Sequence, residues 1–147
     1  GGAPGTAELS VPRRRGLPVH GRAYVTAGAR DAGPNREFAG HRLESVAVET
    51  LDAVVADLVP TRVSFVKADV EGAEGALLDG AAGTLSGHRP HLLLEIEDRH
   101  TRKYGVTAAD LFARLTGELG YRAYTWSGGW RPVAGIVDTE RNYLFSP

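Results

Sequence analysis

Residues 63–80 read VSFVKADVEGAEGALLDG, and the fold class turns on them. Val63, Phe65 and Val66 form a short run of β-branched and aromatic residues with almost no polar break. A run of that kind suits a strand buried on both faces, as in a parallel sheet. It ends on Asp69, Glu71 and Gly72. Ala73, Ala76, Leu77 and Ala81 then offer an apolar inner face to a helix. Strand, acidic turn and helix make half of a βαβ unit. Open α/β sheets bind ligands where their parallel strands end. Asp69 therefore stands where such a sheet keeps its polar chemistry.

The flanking residues extend the pattern. Upstream, Ser45–Glu49 alternates as a strand does, and Thr50 is a helix N-cap. Leu51, Val54, Val55 and Leu58 then fall on one helical stripe, which Pro60 stops. Downstream, Gly80 and Gly83 divide the helical segment into two short pieces. Pro90 leads into HLLLEI, residues 91–96, the next strand. Residues 97–103, EDRHTRK, read as a charged loop. Thr107 and Asp110 form a capping-box start to a helix with Leu111, Leu115 and Leu119 inward, and Gly120 stops it. Residues 121–126 and 142–145 read as strands, with a turn at Ser127-Gly128-Gly129.

The first 45 residues carry no such pattern. Residues 1–10 are rich in Gly, Ala and Pro and read as loosely attached. Arg13-Arg14-Arg15 reads as a solvated turn, since three charges are too few to define an anion-binding patch. The alternation from Gly21 to Thr26 is a candidate hairpin. Residues 1–45 are thus expected to form an irregular segment with that hairpin, ahead of an α/β unit over 46–147.

Composition sets outer limits. The chain has 147 residues, 42% hydrophobic and 24% charged, with a net charge of −1. These values suit a soluble globular domain. They give no general attraction to nucleic acid or anionic membrane. No apolar run approaches the roughly 18 residues that a membrane-spanning helix needs. The absence of cysteine removes disulfides, thiolate metal sites and a cysteine nucleophile. The expected location is cytoplasmic, although cysteine usage does not itself point to a compartment.

Lys67 to Glu74, KADVEGAE, followed by Leu78 and Gly80-Ala81, resembles the signature of the FkbM family of methyltransferases that use S-adenosylmethionine. Thr50-Leu51-Asp52 resembles the family's "TLD" element. Arg89-Pro90 before Leu92-Leu93-Leu94-Glu95, the pair Gly120-Tyr121, and Arg141 to Phe145 match in order and spacing. The resemblance covers roughly residues 46 to 147. It implies an α/β, Rossmann-like methyltransferase sheet whose last strand is antiparallel and lies between the two before it. One departure stands out. The family's glycine-rich turn, of the kind D-x-G-A-N-x-G, holds the cofactor and is not found here. Residues 46–147 thus resemble the C-terminal half of such a domain, with its first strands lacking. S-adenosylmethionine is the implied cofactor, bound weakly or not at all by this chain alone.

Five polar residues are candidates for the site. Asp69 can accept a substrate hydroxyl's proton, or it can cap the following helix. Both roles stay open. His100, in the loop beyond HLLLEI, is the candidate general base beside it. Glu71, Glu95 and Asn142 are candidates for holding substrate or cofactor. Glu95 closes an apolar strand, so it lines a cleft or pairs with a base such as Arg99. Asn142 starts the last strand, which the resemblance brings to the same edge. Glu74 reads as a helix-start carboxylate favoured by the dipole. The carboxylate spacing matches no dedicated metal loop, so no metal is expected.

The leading expectation is an O-methyltransferase of FkbM type, acting on a hydroxyl of a small molecule or sugar. The alternative is a non-catalytic fragment or remnant of such a domain, which folds or self-associates without the cofactor. A sugar- or nucleotide-binding module is a third reading, carried only by the acidic turn and the aromatics. Nucleic acid and membrane are not expected partners. A homo-oligomer through an exposed sheet edge is, because the cofactor-binding strands would otherwise cover one side of Val63–Ala68.

Overall fold

The computed structural model describes residues 1–59 and 61–147. Its N-terminal part is more regular than the composition suggests. Strand β1 (Gly5–Arg14) turns at Arg15-Gly16 into β2 (Leu17–Pro18), and β3 (Tyr24–Val25) and β4 (Gly40–Val48) follow. β4 pairs antiparallel with β1 from Gly5↔Val48 to Arg13↔Gly40. β3 and β2 pair with the other edge of β1. Residues 5–48 therefore form a four-stranded antiparallel sheet where the sequence reads an irregular segment. The reason is range. β1 and β4 are far apart in sequence, and β1 carries glycine, proline and three charges that hide its alternation from a local reading. Arg15 and Gly16 both have positive φ, 52° and 82°, as a two-residue turn between twisted strands requires. The Gly21–Thr26 segment supplies only β3, which pairs with β1 rather than within itself.

Helix α1 (Leu51–Leu58) begins where the sequence places it. Thr50 caps it, its side-chain oxygen accepting from the Ala53 amide at 3.1 Å. Val59 ends it in the left-handed region. Pro60, the stop read from the sequence, lies outside the described residues.

The second sheet has five strands. β5 (Phe65–Ala68) is followed by α2 (Glu74–Asp79) and α3 (Ala82–His88), then by β6 (His91–Glu95). The break between α2 and α3 falls at Gly80 as expected, whereas Gly83 lies inside α3. Residues 98–104 form α4 (Asp98–Thr101) and a 3-10 turn rather than a loop. α5 (Ala108–Ala113) starts with the full capping box of Thr107 and Asp110 and continues as a π-turn through Glu118. β7 (Arg122–Trp126) and β8 (Trp130–Val133) form a hairpin around the Ser127–Gly129 turn, and β9 (Asn142–Ser146) ends the chain. The sheet order is β5-β6-β9-β7-β8. β5 and β6 are parallel, and β9 lies antiparallel between β6 and β7.

The core sits on one face of this sheet. Leu78, Leu85, Leu111, Phe112 and Leu115 pack there against Leu92, Leu94, Tyr143 and Phe145. Phe112 meets Tyr143 and Phe145 edge-on, with ring centroids 6.2 and 5.8 Å apart. The alternate positions, such as Phe65, Lys67, Leu93, Glu95, Leu144 and Trp126, are exposed or half-buried. This corrects the expectation of a strand buried on both faces. β5 is an edge strand, and Phe65 is 52% exposed. A short apolar run reports hydrophobicity, and only the topology says which strand is the edge. No helix among the described residues is long and apolar enough to cross a membrane.

Candidate active site

β5 ends at Ala68, so Asp69 is the first residue beyond it, exposed at the carboxyl edge of the sheet. The chain then turns with two successive positive φ angles, 53° at Glu71 and 100° at Gly72. The first is strained for a residue with a side chain, and such strain is tolerated where surrounding contacts enforce it. The second admits only glycine. A Cβ on Gly72 would lie 2.3 Å from the carbonyl oxygen of His100. This close approach docks the turn directly on α4.

Docking brings Glu71 and His100 together. Glu71 Oε2 lies 2.9 Å from His100 Nδ1. Partial burial pushes the Glu71 carboxyl up, but the close contact with His100 and the charges of His100, Lys103 and Arg22 outweigh it and leave it below its ordinary value. His100 is only 6% exposed. It is therefore held behind the turn, with Glu97 Oε1 3.8 Å from its Nε2.

Glu74 turns back from the first turn of α2 and closes the acidic loop from within. Its Oε1 accepts from the amides of Val70 and Gly72 at 3.4 and 3.3 Å. The residue is 1% exposed, and its Oε2 has no hydrogen-bond partner among the described residues. Burial pushes this carboxyl above the ordinary range despite the two amides.

Glu95 ends β6 and pairs in register with Asn142 at the start of β9. Continuing the β5–β6 register by one residue from Ala68↔Leu94 sets Asp69 beside Glu95. Asp69, Glu95 and Asn142 thus reach one edge, as the sequence reading has it. Asp69, Glu71, Gly72, Glu74, Glu95 and His100 line a single small cleft there. Arg99 does not pair with Glu95. It grips Glu97, with Nε 2.7 Å from Oε2 and Nη2 2.8 Å from Oε1. Arg141 adds a contact to Glu97 at 3.5 Å. Partial burial of Glu95, its closeness to the Glu97 carboxyl, and the charges of Asp69 and Glu71 push it up to about 7. Glu97 moves the other way, because the hydrogen bond from Arg99 and the charges of Arg99 and Arg141 outweigh its burial.

Glu97 is the residue that the sequence reading left in a charged loop. Its signal was present, since Glu95 and Glu97 flank the apolar Ile96 and must share a side if the chain stays extended. Lys103 was also unmarked. It is buried, with Nζ 4.2 Å from the Tyr24 ring centroid and 5.6 Å from that of Tyr104. The Tyr104 hydroxyl donates to the Val25 carbonyl at 2.7 Å. These contacts fasten the segment that carries His100 to the N-terminal sheet. Among the described residues, no group of three or more His, Asp or Glu is arranged to hold a metal ion.

An acidic cleft at the carboxyl edge of a mixed α/β sheet is where enzymes of this architecture work. Residues 17–123 match the methyltransferase FkbM domain, so the chain belongs to that family. The match starts earlier than the resemblance over 46–147, and so takes in most of the N-terminal sheet. Neither curated proteins nor solved structures gave a match.

Proposed function

We propose that the chain forms the acceptor side of a methyltransferase domain that uses S-adenosylmethionine to methylate a hydroxyl of a small molecule or sugar. The observation that carries this reading is the cleft where Asp69, Glu71 and Glu95 meet at one sheet edge in a member of the FkbM family. Asp69, exposed where β5 ends, and Glu95 beside it put carboxyl groups at the edge that would face the positive sulfonium end of the donor, and bound S-adenosylmethionine supplies an electrophilic methyl group. No glycine-rich turn of the family's kind is present to hold the donor's nucleoside and amino-acid ends, so the residues of this chain contribute the edge. Transfer needs an oxygen held in line with the methyl group and an outlet for its proton. Asp69, exposed at the end of β5, receives and orients the acceptor hydroxyl. Asn142 hydrogen-bonds the acceptor from the neighbouring strand. Glu71 and His100 hold the turn in shape rather than meeting the substrate. The strand order, with β9 antiparallel between β6 and β7, supports the Rossmann-like methyltransferase reading of the sheet.

Titration calorimetry with S-adenosylmethionine, on the full translated product of the gene, tests the reading. We expect saturable heat at about one equivalent, and its absence sinks the proposal. The second reading, a domain that folds and self-associates without the donor, rests on the open edge of β5. It predicts association in sedimentation together with a flat calorimetric trace.

A further inference from the structure

The hairpin of β7 and β8 carries both tryptophans of the chain, Trp126 and Trp130. They stand opposite each other across the two strands, with ring centroids 5.3 Å apart and planes at 76°. Both stay uncovered, 58% and 46% exposed. A cross-strand aromatic pair steadies a hairpin. That task gives no reason for the row to run on in hydrogen-bonding groups, yet it does. Continuing the β7–β9 register by two residues from Tyr124↔Leu144 sets Trp126 beside Asn142. Asn142 pairs with Glu95, and Asp69 comes next at the end of β5. Trp130, Trp126, Asn142, Glu95 and Asp69 thus form one row across the carboxyl edge of the sheet. The strand neighbours Thr125, Tyr143 and Leu94 are buried in the core, so the row lies on the opposite, open face.

We propose that this row is the platform for the methyl acceptor and that the acceptor is a sugar. Its ring stacks on Trp126 and Trp130, and its hydroxyls bond to Asn142 and the carboxyl groups beyond. The proposal names the substrate class of the site above and rests on the methyl-transfer reading. The chemistry of the row selects a sugar over other ligands. The faces of indole rings are electron-rich and attract the polarised C–H bonds on one face of a sugar ring. Hydroxyls donate hydrogen bonds, and an amide oxygen and carboxyl oxygens follow in order to receive them. A purely apolar ligand would make no use of these groups. The Asp69 carboxylate disfavours a phosphate-bearing ligand. Length agrees as well. Neighbouring strands lie ~4.8 Å apart, so Trp126 stands roughly 14 Å from Asp69, three strands away. A sugar of more than one ring spans that gap and brings a hydroxyl to the exposed Asp69.

The chain has no tryptophan besides these, so its indole signals report on the platform alone. Indole N–H resonances and tryptophan emission are followed in the 147-residue chain as methyl glucoside, methyl galactoside, methyl rhamnoside, cellobiose or maltose is added. We expect at least one of these sugars to shift both signals saturably, at roughly millimolar concentration for a flat, open site. Trp126→Ala, read through Trp130, should weaken that binding by about 10-fold, and Trp126→Phe should restore most of it by keeping a ring face. Trp130→Ala, read through Trp126, gives the same answer independently. Asn142→Ala should weaken binding by about 5-fold through the lost hydrogen bond, with the melting temperature unchanged. The proposal is overturned if no sugar of the panel shifts the signals up to about 100 mM, or if both tryptophan-to-alanine variants bind as well as the unaltered chain. It is also overturned if choline shifts the signals and the sugars do not, which would make the row a cation site. Failure of the methyl-transfer reading is seen separately, as the absence of donor binding in calorimetry while a sugar still shifts the indole signals.

Discussion

Asp69 and Glu95 stand at the ends of neighbouring strands, yet their settings differ. Asp69 is exposed, whereas Glu95 is half-buried and lies two residues before a carboxylate that two arginines hold. We expect Asp69→Asn to lower turnover by about 100-fold with little change in melting temperature, as for loss of a group acting on the substrate's proton or oxygen. Intact turnover with a lowered melting temperature would assign Asp69 to capping instead. Removing its charge should also shift the Glu95 midpoint down, because that charge helps to raise it. Glu71 supplies a test of opposite sign. Its carboxyl is depressed in the fold, so its stabilisation is present above the ordinary carboxylate value and lost as pH falls through the folded one. Thermal melts should show stability dropping with acid below about pH 4.5, the ordinary glutamate range. His100→Gln should flatten that drop, since His100 is the main partner lowering Glu71. Several family-signature residues prove to be clamps. Arg89 donates to the carbonyls of Leu119 and Gly120 and covers the Tyr121 ring at 4.6 Å, so two separated motif pieces meet. The Tyr143 hydroxyl accepts from the Val137 amide at 2.9 Å and donates to the carbonyl of the same residue at 3.1 Å.

At the scale of elements, short helices depend on their ends. Asp52, the last residue of the "TLD" element, caps α3 from a distance, accepting from the amides of Gly83 and Thr84 and from the Thr84 hydroxyl at 2.8, 2.7 and 2.6 Å. Asp52→Ala should cost about 1–2 kcal/mol, as loss of a good cap does. Chemical denaturation measures it, and a change below about 0.3 kcal/mol would show that α3 stands without the cap. Leu94 is 0% exposed at the centre of β6, under the helices. Leu94→Ala should cost about 2–5 kcal/mol by transfer and cavity terms together. A shift in melting temperature of under about one degree would mean that the strand is not covered.

At the scale of the whole molecule, the two sheets differ in how they end. The N-terminal sheet uses the alternating segments Gly21–Thr26 and Ser45–Glu49 in pairing with β1, so neither covers β5. β5 keeps one edge unpaired among the described residues, with Phe65 exposed on it. An unpaired apolar edge is a template for another strand, and Lys67 is the one charge within β5 to discourage it. We expect concentration-dependent self-association in analytical ultracentrifugation, weakened by Phe65→Lys, with amides of β5 protected from hydrogen exchange in the associated form. A strictly monomeric chain with fast exchange along β5 overturns this.

Local periodicity and end chemistry alone determined α1 with its Thr50 cap, the capping box at Thr107, the break at Gly80 and the strands β6, β7 and β9. Each is specified by residues within a turn or two, so a linear reading finds it. The motif order likewise pointed to the family and to the edge where Asp69, Glu95 and Asn142 meet. The tertiary structure decided the rest. The pairing of β1 with β4 joins distant segments whose own patterns are weak. The edge position of β5 is a property of the sheet, not of its apolar run. The glycine at position 72 is required by the carbonyl of His100, a residue on another element. The lowering of the Glu97 carboxyl follows from where Arg99 and Arg141 land. Electrostatic interaction depends on distances of a few ångströms between separate elements, and those distances exist only in the folded chain.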